Sequence, residues 1–319
     1  MSVTTRATST NPNPGFFSSS KRLALPVGRF IEPGAVRGYP IDMRTKAVAP
    51  RWPPPWAERL DRYFPALIQY GLGCYERHLA GDGEGWLHGA LGAGTHLVGS
   101  QQRDGSWLDH GPPRHTFSLP NPFRCGMAQG EGASLLVRLY LETGEASFAE
   151  AASAALGPLS RHRDAGGVAA SLMGADWPEE YPTDPPSFVL NGAIFAWWGV
   201  RDVGVGLDAA DAAAAFAAGV DTLAANLHRF DTGSWSLYCL YPHRVSPVAS
   251  SFYHALHINQ LEAMGLLAPR DEFSSTRSRW LSYLESRQLR WRAFGRKALF
   301  RLVVPRNRFL ADRLSSTRT

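Results

Sequence analysis

Ala209-Ala-Asp-Ala-Ala-Ala-Ala-Phe216-Ala-Ala-Gly-Val-Asp-Thr-Leu-Ala-Ala225 leaves the backbone little choice but helix. Ten of its seventeen residues are Ala, the strongest helix former, and it holds no proline. Working outward, the same behaviour recurs on both sides. Residues 57–79 place Leu60, Phe64, Leu67, Ile68, Leu72 and Tyr75 at steps of three and four, the period of an amphipathic helix. Further helices are expected over 85–100, 127–142, 147–158, 187–203, 208–228, 251–267 and 272–302. Strand-like alternation is confined to short pieces near 166–172 and 234–241. Helix following helix across Gly/Pro/Asp turns, with no fixed repeat length, predicts a mainly α chain. The expected architecture is an α/α toroid, an incomplete helical barrel with a few short strands, or else an open helical solenoid.

Two turns favour the barrel. Asp104-Gly105-Ser-Trp107 and Asp231-Thr-Gly233-Ser-Trp235 each follow a helix and resemble turns that close helical hairpins, with the Trp packed on the next helix. Before the helices, residues 1–38 are rich in Ser, Thr, Pro and Gly without periodicity, and Trp52-Pro-Pro-Pro-Trp56 is a stiff punctuation mark. The expected division is a disordered leader and short lead-in over 1–50, a helical domain over 51–276, and a basic amphipathic tail over 277–319.

The chain has 319 residues, 44% apolar and 19% charged, enough for a sizeable core. No run approaches the roughly 18 apolar residues of a spanning helix. Leu23–Val27 is too short and interrupted for a signal peptide, which favours a cytoplasmic protein. Three scattered cysteines, Cys74, Cys125 and Cys239, exclude a disulfide scaffold and a paired-cysteine zinc site. The formal charge of +5 divides unevenly. Residues 277–319 hold twelve Lys or Arg against two acids, a surplus of ten, which leaves 1–276 with 21 bases, 26 acids and a deficit of five. An acidic body argues against nucleic acid as a partner. The tail interleaves Trp280, Leu284, Trp291, Phe294 and Leu302 with arginines. It reads either as a helix for an anionic membrane surface or acidic polymer, or as a packing helix with solvated arginines.

Several motifs fail on inspection. Asp231-Thr-Gly-Ser234 matches the aspartic-protease triplet, but that chemistry needs two facing copies and only one is present. His254 and His257, three apart on a helix, could present two metal ligands, yet no third ligand is near in sequence, so no metal is expected. There is no phosphate-cradling loop and no nucleophile elbow.

Four segments remain: Gly126-Met-Ala-Gln129-Gly130-Glu131-Gly132, Glu179-Glu180-Tyr181-Pro182-Thr183 running on to Asn191-Gly192, Asp231-Thr-Gly-Ser-Trp235-Ser-Leu-Tyr238, and Tyr253-His254-Ala-Leu-His257. Glycines inside a helix cost about 1 kcal/mol each, so their clustering points to close approach of the backbone to something. Carboxylates, phenols and imidazoles supply acids, bases and oxyanion donors without a cofactor. Trp177 and Trp235 offer flat faces for sugar rings.

Together and in this order, over about residues 120–285, these segments resemble the C-terminal catalytic domain of the D-glucuronyl C5-epimerases, which turn glucuronate into iduronate in heparan-type chains. Tyr39-Pro-Ile-Asp42-Met43 and Lys46 are similar to that family's lead-in. The resemblance implies an α/α toroid with its site in the cleft, an acidic glycan as substrate, and no metal or organic cofactor. Carried over by position, Glu180 and Tyr253 flank the sugar, Tyr181 and Tyr238 accompany them, and Asn191 contacts substrate. Gln129, Glu131, Trp235, His254 and His257 are expected beside it. After the tyrosine of the third segment the family carries an acid and then an arginine suited to a carboxylate. Here Tyr238 is followed by Cys239, Leu240 and Tyr241, leaving His243 or Arg244 to substitute. The animal enzymes also carry β-rich regions upstream that 1–50 cannot replace, so a homodimer would complete the cleft. The expected activity is an isomerase of uronate residues. A uronan lyase on the same fold, or a catalytically impaired glycan binder, are the alternatives.

Overall fold

The computed structural model describes residues 24–56, 63–110 and 116–306. The expected leader up to residue 23, the first turn expected at 57–62 and the tail from 307 to 319 lie outside the described residues.

Helical hairpins succeed one another along the chain. They are α1 (Phe64–Leu79) with α2 (Trp86–Ser100), α3 (Gly126–Thr143) with α4 (Ala146–Ala154) and the short α5 (Leu156–Leu159), α6 (Leu190–Gly206) with α7 (Ala210–Asn226), and α8 (Ser251–Leu267) with α9 (Asp271–Glu285). A last helix, α10 (Arg287–Val303), follows the break at Ser286, whose hydroxyl caps it by accepting from the Leu289 N–H. The sequence pattern alone runs 272–302 as one helix. Two-stranded antiparallel pieces, β1 (Leu108–Asp109) with β2 (Phe123–Arg124) and β3 (Ala169–Leu172) with β4 (Ala175–Pro178), bridge the hairpins.

The hairpins stand side by side. Helix α1 packs on α3, α3 on α6 and α6 on α8, while α2 meets α4 and α7 meets α9. First helices thus form an inner arc and second helices an outer one, the plan of an incomplete α/α barrel. Burial follows from this plan. Helix α6 is buried around nearly its whole circumference, as a helix apolar on all sides must be. Alanine-rich α7 buries only a stripe through Ala212, Gly219, Val220 and Leu223.

Close approach explains the glycines of α3. A Cβ on Gly130 would fall 2.3 Å from Ala196 Cα, and one on Gly199 would fall 2.1 Å from the Gly130 carbonyl oxygen. What the glycines admit is a neighbouring helix. The two turns with Trp107 and Trp235 close as the sequence suggests. Gly105 and Gly233 take positive φ, Asp104 and Asp231 accept from the backbone N–H two residues on, and each indole N–H donates to a carbonyl.

Residues 24–47, mostly assigned to the leader on composition, are fixed onto this body. Glu76 accepts from the Tyr39 and Met43 N–H groups at 3.0 and 3.1 Å. Arg138 pairs with Asp202 at 2.6 Å, both fully buried, and donates to the Gly38 carbonyl at 2.8 Å. Arg201 reaches the carbonyls of Glu32, Pro33 and Ala35. Buried charges in a helical core are thus matched to the carbonyls of an irregular strap. Among the described residues no helix is long and apolar enough to cross a membrane.

Candidate active site

The loop between β4 and α6 carries two neighbouring glutamates with opposite circumstances. Glu179 is consumed locally: its carboxylate accepts from the Ser187 N–H and hydroxyl and the Phe188 N–H at 2.6–2.7 Å. Those bonds close the Pro-bounded loop on itself and turn Glu180 the other way. Glu180 lies against the first turn of α6, where a Cβ on Gly192 would come 2.4 Å from its Oε2. Only glycine leaves room for the carboxylate there.

Glu180 lines a cavity of about 330 Å³ with Tyr181, Asn191, Tyr253, Tyr63, Gln69 and Lys46. A second lobe of about 460 Å³ shares Tyr63, Tyr181 and Tyr253 as walls and adds Tyr238. Glu180 and Tyr181, Tyr181 and Tyr238, and Tyr238 and Tyr253 are neighbours close enough to act on one another's titration. The rings of Tyr238 and Tyr253 are 4.8 Å apart. Tyr238 is placed by backbone bonds to Leu190 and Pro247 (3.2 and 2.8 Å), and Tyr253 by the first turn of α8, capped by Ser250. Glu180 Oε2 and Asn191 Oδ1 are buried without a protein partner among the described residues. Buried acceptors left open are costly unless a ligand or water fills them.

Burial raises the Glu180 pKa to about 7, with the Tyr181 hydroxyl bond pulling it down. Burial and then the Glu180 charge push Tyr253 up to about 12 and hold Tyr181 and Tyr238 well above their ordinary value. The site therefore joins a carboxyl that titrates near neutrality to phenols that stay protonated, the pairing an acid/base reaction needs. A larger groove of about 530 Å³ between α6 and α7 is walled by Ala212, Ala215, Ala218 and Trp197, with Asp176 and Asp211 as its titratable groups among the described residues. Its size exceeds either lobe, but among the described residues it offers no phenol or imidazole opposite its carboxyls, so the tyrosine cleft is the stronger candidate.

Of the residues expected in the site, Glu180, Tyr181, Tyr238, Tyr253 and Asn191 come together in the two lobes. Glu131 sits behind Gln69, which donates to it at 3.2 Å, and burial lifts its pKa to about 8. Gln129 is fully buried away from the cavity. Turned to suit its neighbours, its amide donates to the Gly105 carbonyl at 3.1 Å and accepts from the Trp107 N–H at 2.9 Å. Trp235, His254 and His257 form a closed cluster. His254 stacks on Trp235 at 3.8 Å, accepts from the Ser236 N–H at Nδ1 and meets the Trp280 carbonyl at Nε2. The Ser236 hydroxyl stands 2.8 Å from His254 Nδ1 and 3.0 Å from His257 Nδ1. Burial drives His254 down to about 4, so the cluster is neutral packing. Both Nδ1 atoms converge on one hydroxyl, and no group of three metal-ligating side chains exists among the described residues. Asp231 is paired with Arg279 at 2.7 Å. Trp177 is fully buried, stacked on Phe230, and offers no face to a sugar.

His243 lines the second lobe, stacked on Phe117 at 5.7 Å, which leaves its neighbour Arg244 exposed and outside the lining. Arg244 therefore does not replace the missing arginine. Sequence reasoning missed Tyr63, which caps α1 between the lobes, and Lys297, Arg301 and Arg306, which enter the second lobe from α10 and its end. The charge surplus after residue 277 was their one visible signal.

An arc of helical hairpins around a glutamate–tyrosine cleft defines the class: a helical-barrel protein with a cleft lined by a carboxyl and phenols. Residues 112–282 match the model of the D-glucuronyl C5-epimerase C-terminus, more than half of the chain. The chain belongs to this family. It is 30% identical over 215 residues to D-glucuronyl C5-epimerase of Caenorhabditis elegans, covering 61% of this chain and 35% of that protein. It is 25% identical over 154 residues to an uncharacterized protein, MJ1128, of Methanocaldococcus jannaschii, covering 47% of this chain and 48% of that one. The chain thus spans between a third and a half of the length of these relatives. A solved structure, the unsaturated glucuronyl hydrolase of Bacillus sp. GL1, aligns with a TM-score of 0.44 at 17% identity over 74% of this chain and 64% of that one.

Proposed function

We propose that the chain is a polysaccharide uronyl C5-epimerase, converting D-glucuronate residues of an acidic glycan to L-iduronate. The observation that carries this reading is the meeting of Glu180 and Tyr253 in one buried cavity, joined through Tyr181 and Tyr238. Glu180, ionised, takes the proton from C5. The electron pair left on C5 passes into the attached carboxylate as an enediolate-like dianion, for which the phenol O–H groups are donors. Tyr253, held protonated by burial, returns a proton to C5 from the other face as the electron pair comes back. Glu180 is then protonated and Tyr253 ionised. The row of phenols between them restores the starting state by passing one proton from Glu180 through Tyr181 and Tyr238 to Tyr253.

Incubation in D2O with a heparosan-type polymer is expected to place deuterium at C5 of uronate residues. No exchange on any uronan would overturn the proposal. New ultraviolet absorbance from an unsaturated uronate would replace it with a lyase. Two partners besides the glycan belong to the same reading. One is a second copy of the chain completing the cleft, which light scattering showing only monomer would remove. The other is an anionic surface met by the outward face of α10, where Trp291, Phe294 and Leu302 are exposed beside Arg287 and Arg292. Vesicle co-sedimentation unchanged by replacing Trp291 and Phe294 with Ser would remove that one.

A further inference from the structure

Among the described residues, the second lobe of the cleft is one-sided in charge. Lys297 and Arg301, one helical turn apart on α10, and Arg306 beyond it line the lobe with Tyr63, Tyr181, Tyr238 and Tyr253, and no described Asp or Glu shares the lining. All three cations lie past residue 282, where the match to the family ends. Lys297 Nζ donates to the Val248 carbonyl at 2.7 Å and Arg301 to the Thr116 hydroxyl at 2.8 Å. Neither meets a carboxylate among the described residues. Phe300 is packed between them, with Lys297 Nζ 5.0 Å and the Arg301 guanidinium 5.3 Å from its ring, and Lys297 Nζ is 6.0 Å from the ring of Tyr238.

Holding like charges together in a partly buried lobe is unfavourable unless an anion joins them. Burial first, and then the Arg301 charge, lower the Lys297 pKa to about 8; Arg301 is lowered by burial and by Arg306. Lys46, in the first lobe, differs, because the buried Glu131 acts on it as an opposite charge. The cations with unspent charge are those of α10.

We propose that Lys297 and Arg301 form the carboxylate clamp of this protein, holding the C6 carboxylate of the uronate whose C5 is inverted, with Arg306 extending the cationic wall. This inference rests on the epimerase reading for the identity of the anion. Because the carboxylate is bonded directly to C5, its clamp must stand beside the acid/base pair, and Lys297 stands against Tyr238, which touches Tyr253. A cationic pair there also stabilises the dianion formed when the C5 proton leaves. The C-terminal helix thereby does the work that an arginine after Tyr238 would do, and its surplus charge faces the cleft through one side and solvent through the other.

The test compares a heparosan-type hexasaccharide with its carboxyl-reduced counterpart, using the full chain. Wild type is expected to bind the acidic form at least roughly 10–100-fold more tightly, the range of a single charge-assisted hydrogen bond. Lys297→Gln with Arg301→Gln should erase that preference, Arg301→Lys should restore part of it, and Arg103→Gln, exposed in the turn after α2, should leave it intact. Circular dichroism and the thermal midpoint check that each variant is folded. If the folded double variant keeps the preference, or if Lys46→Gln alone abolishes it, the clamp is elsewhere and the proposal fails. C5 exchange in D2O separates the two readings. A charge preference that depends on Lys297 and Arg301 without any wild-type exchange overturns the epimerase reading and leaves an acidic-glycan site on α10. Exchange by the double variant with unchanged KM and kcat overturns the clamp and leaves the epimerase.

Discussion

Two polar clusters share two sequence segments, around 235–238 and 253–257, and they have opposite characters. Ser236, His254 and His257 lie outside both lobes under a stacked Trp235: the Ser236 hydroxyl meets both imidazoles, His254 also bonds the Ser236 N–H and the Trp280 carbonyl, and His257 Nε2 is without a partner among the described residues. Glu180, Tyr181, Tyr238 and Tyr253 are open: they stand in a row along two cavity lobes, and Glu180 Oε2 is without a partner among the described residues. Both are buried, and both hold groups pushed far from their ordinary pKa. What separates them is unmet hydrogen-bonding capacity facing a space that a sugar can enter. A perturbed titration by itself does not mark a site, since His254 at about 4 belongs to the closed cluster.

The sharpest way to break this contrast is Glu180→Gln. The amide keeps the shape and loses the base, so C5 exchange should fall by roughly 10²–10⁴-fold, with a thermal midpoint equal to or above wild type. Near-normal exchange in the folded variant would remove Glu180 from the chemistry. Gly192→Ala tests the same carboxyl through its support. The new methyl would meet Oε2 at 2.4 Å, and a displacement of about 1 Å at a reacting group costs on the order of 10²-fold. Exchange should drop while the far-ultraviolet spectrum stays unchanged; full activity would mean that the carboxyl has freedom to move.

A smaller effect, tenfold per pH unit on each limb, is expected in the pH profile. Exchange should rise as Glu180 ionises through about pH 7 and fall as Lys297 loses its proton through about pH 8. Stability should move in one direction. Glu76, Glu131, Glu179 and Glu180 all titrate at about 7 to 8 when folded, above the ordinary glutamate value. Their neutral forms favour the folded state, so their contribution is full below about pH 4.5 and is lost as pH rises through 7 to 8. The thermal midpoint should therefore decline from pH 5 to pH 8, and less steeply in Glu180→Gln. A flat profile would show that these carboxyls are better solvated than their burial implies.

The fold was legible because helical period and alanine content are local properties, and α7 lies within two residues of its expected span at each end. The family segments also placed Glu180, Tyr181, Tyr238, Tyr253 and Asn191 around one cleft. They could not show direction. Glu179 and Glu180 are adjacent and chemically identical, and only the turn through Ser187 and Phe188 decides which one faces the cavity. Gln129, Trp235 and His257 share motifs with cleft residues yet point into the core, a distinction made by tertiary packing. Arg244 was the nearest basic residue along the chain, whereas Lys297 and Arg301 arrive from a helix more than fifty residues later. Charge counting registered them only as a surplus.

The smallest effect on chemistry should come from the closed cluster, and it is the test that most sharpens the comparison. Ser236→Ala removes the hydroxyl shared by His254 and His257 and leaves buried imidazole nitrogens short of a partner. Such a loss costs about 1–3 kcal/mol of stability. The cluster joins the 234–237 segment to α8 and, through the Trp280 carbonyl, to α9, so the damage should appear in the denaturant midpoint. No atom of Ser236 lines either lobe, so kcat per folded molecule and the preference for an acidic hexasaccharide should stay within about twofold of wild type, as expected of a substitution that acts on stability alone. A large fall in kcat with little loss of stability would place the histidines in the reaction and dissolve the distinction between the clusters. A stable, fully active variant would show that the shared hydroxyl is replaceable by water. The expected result, unstable but competent, is the signature of a group that holds the tyrosines in place without touching the sugar.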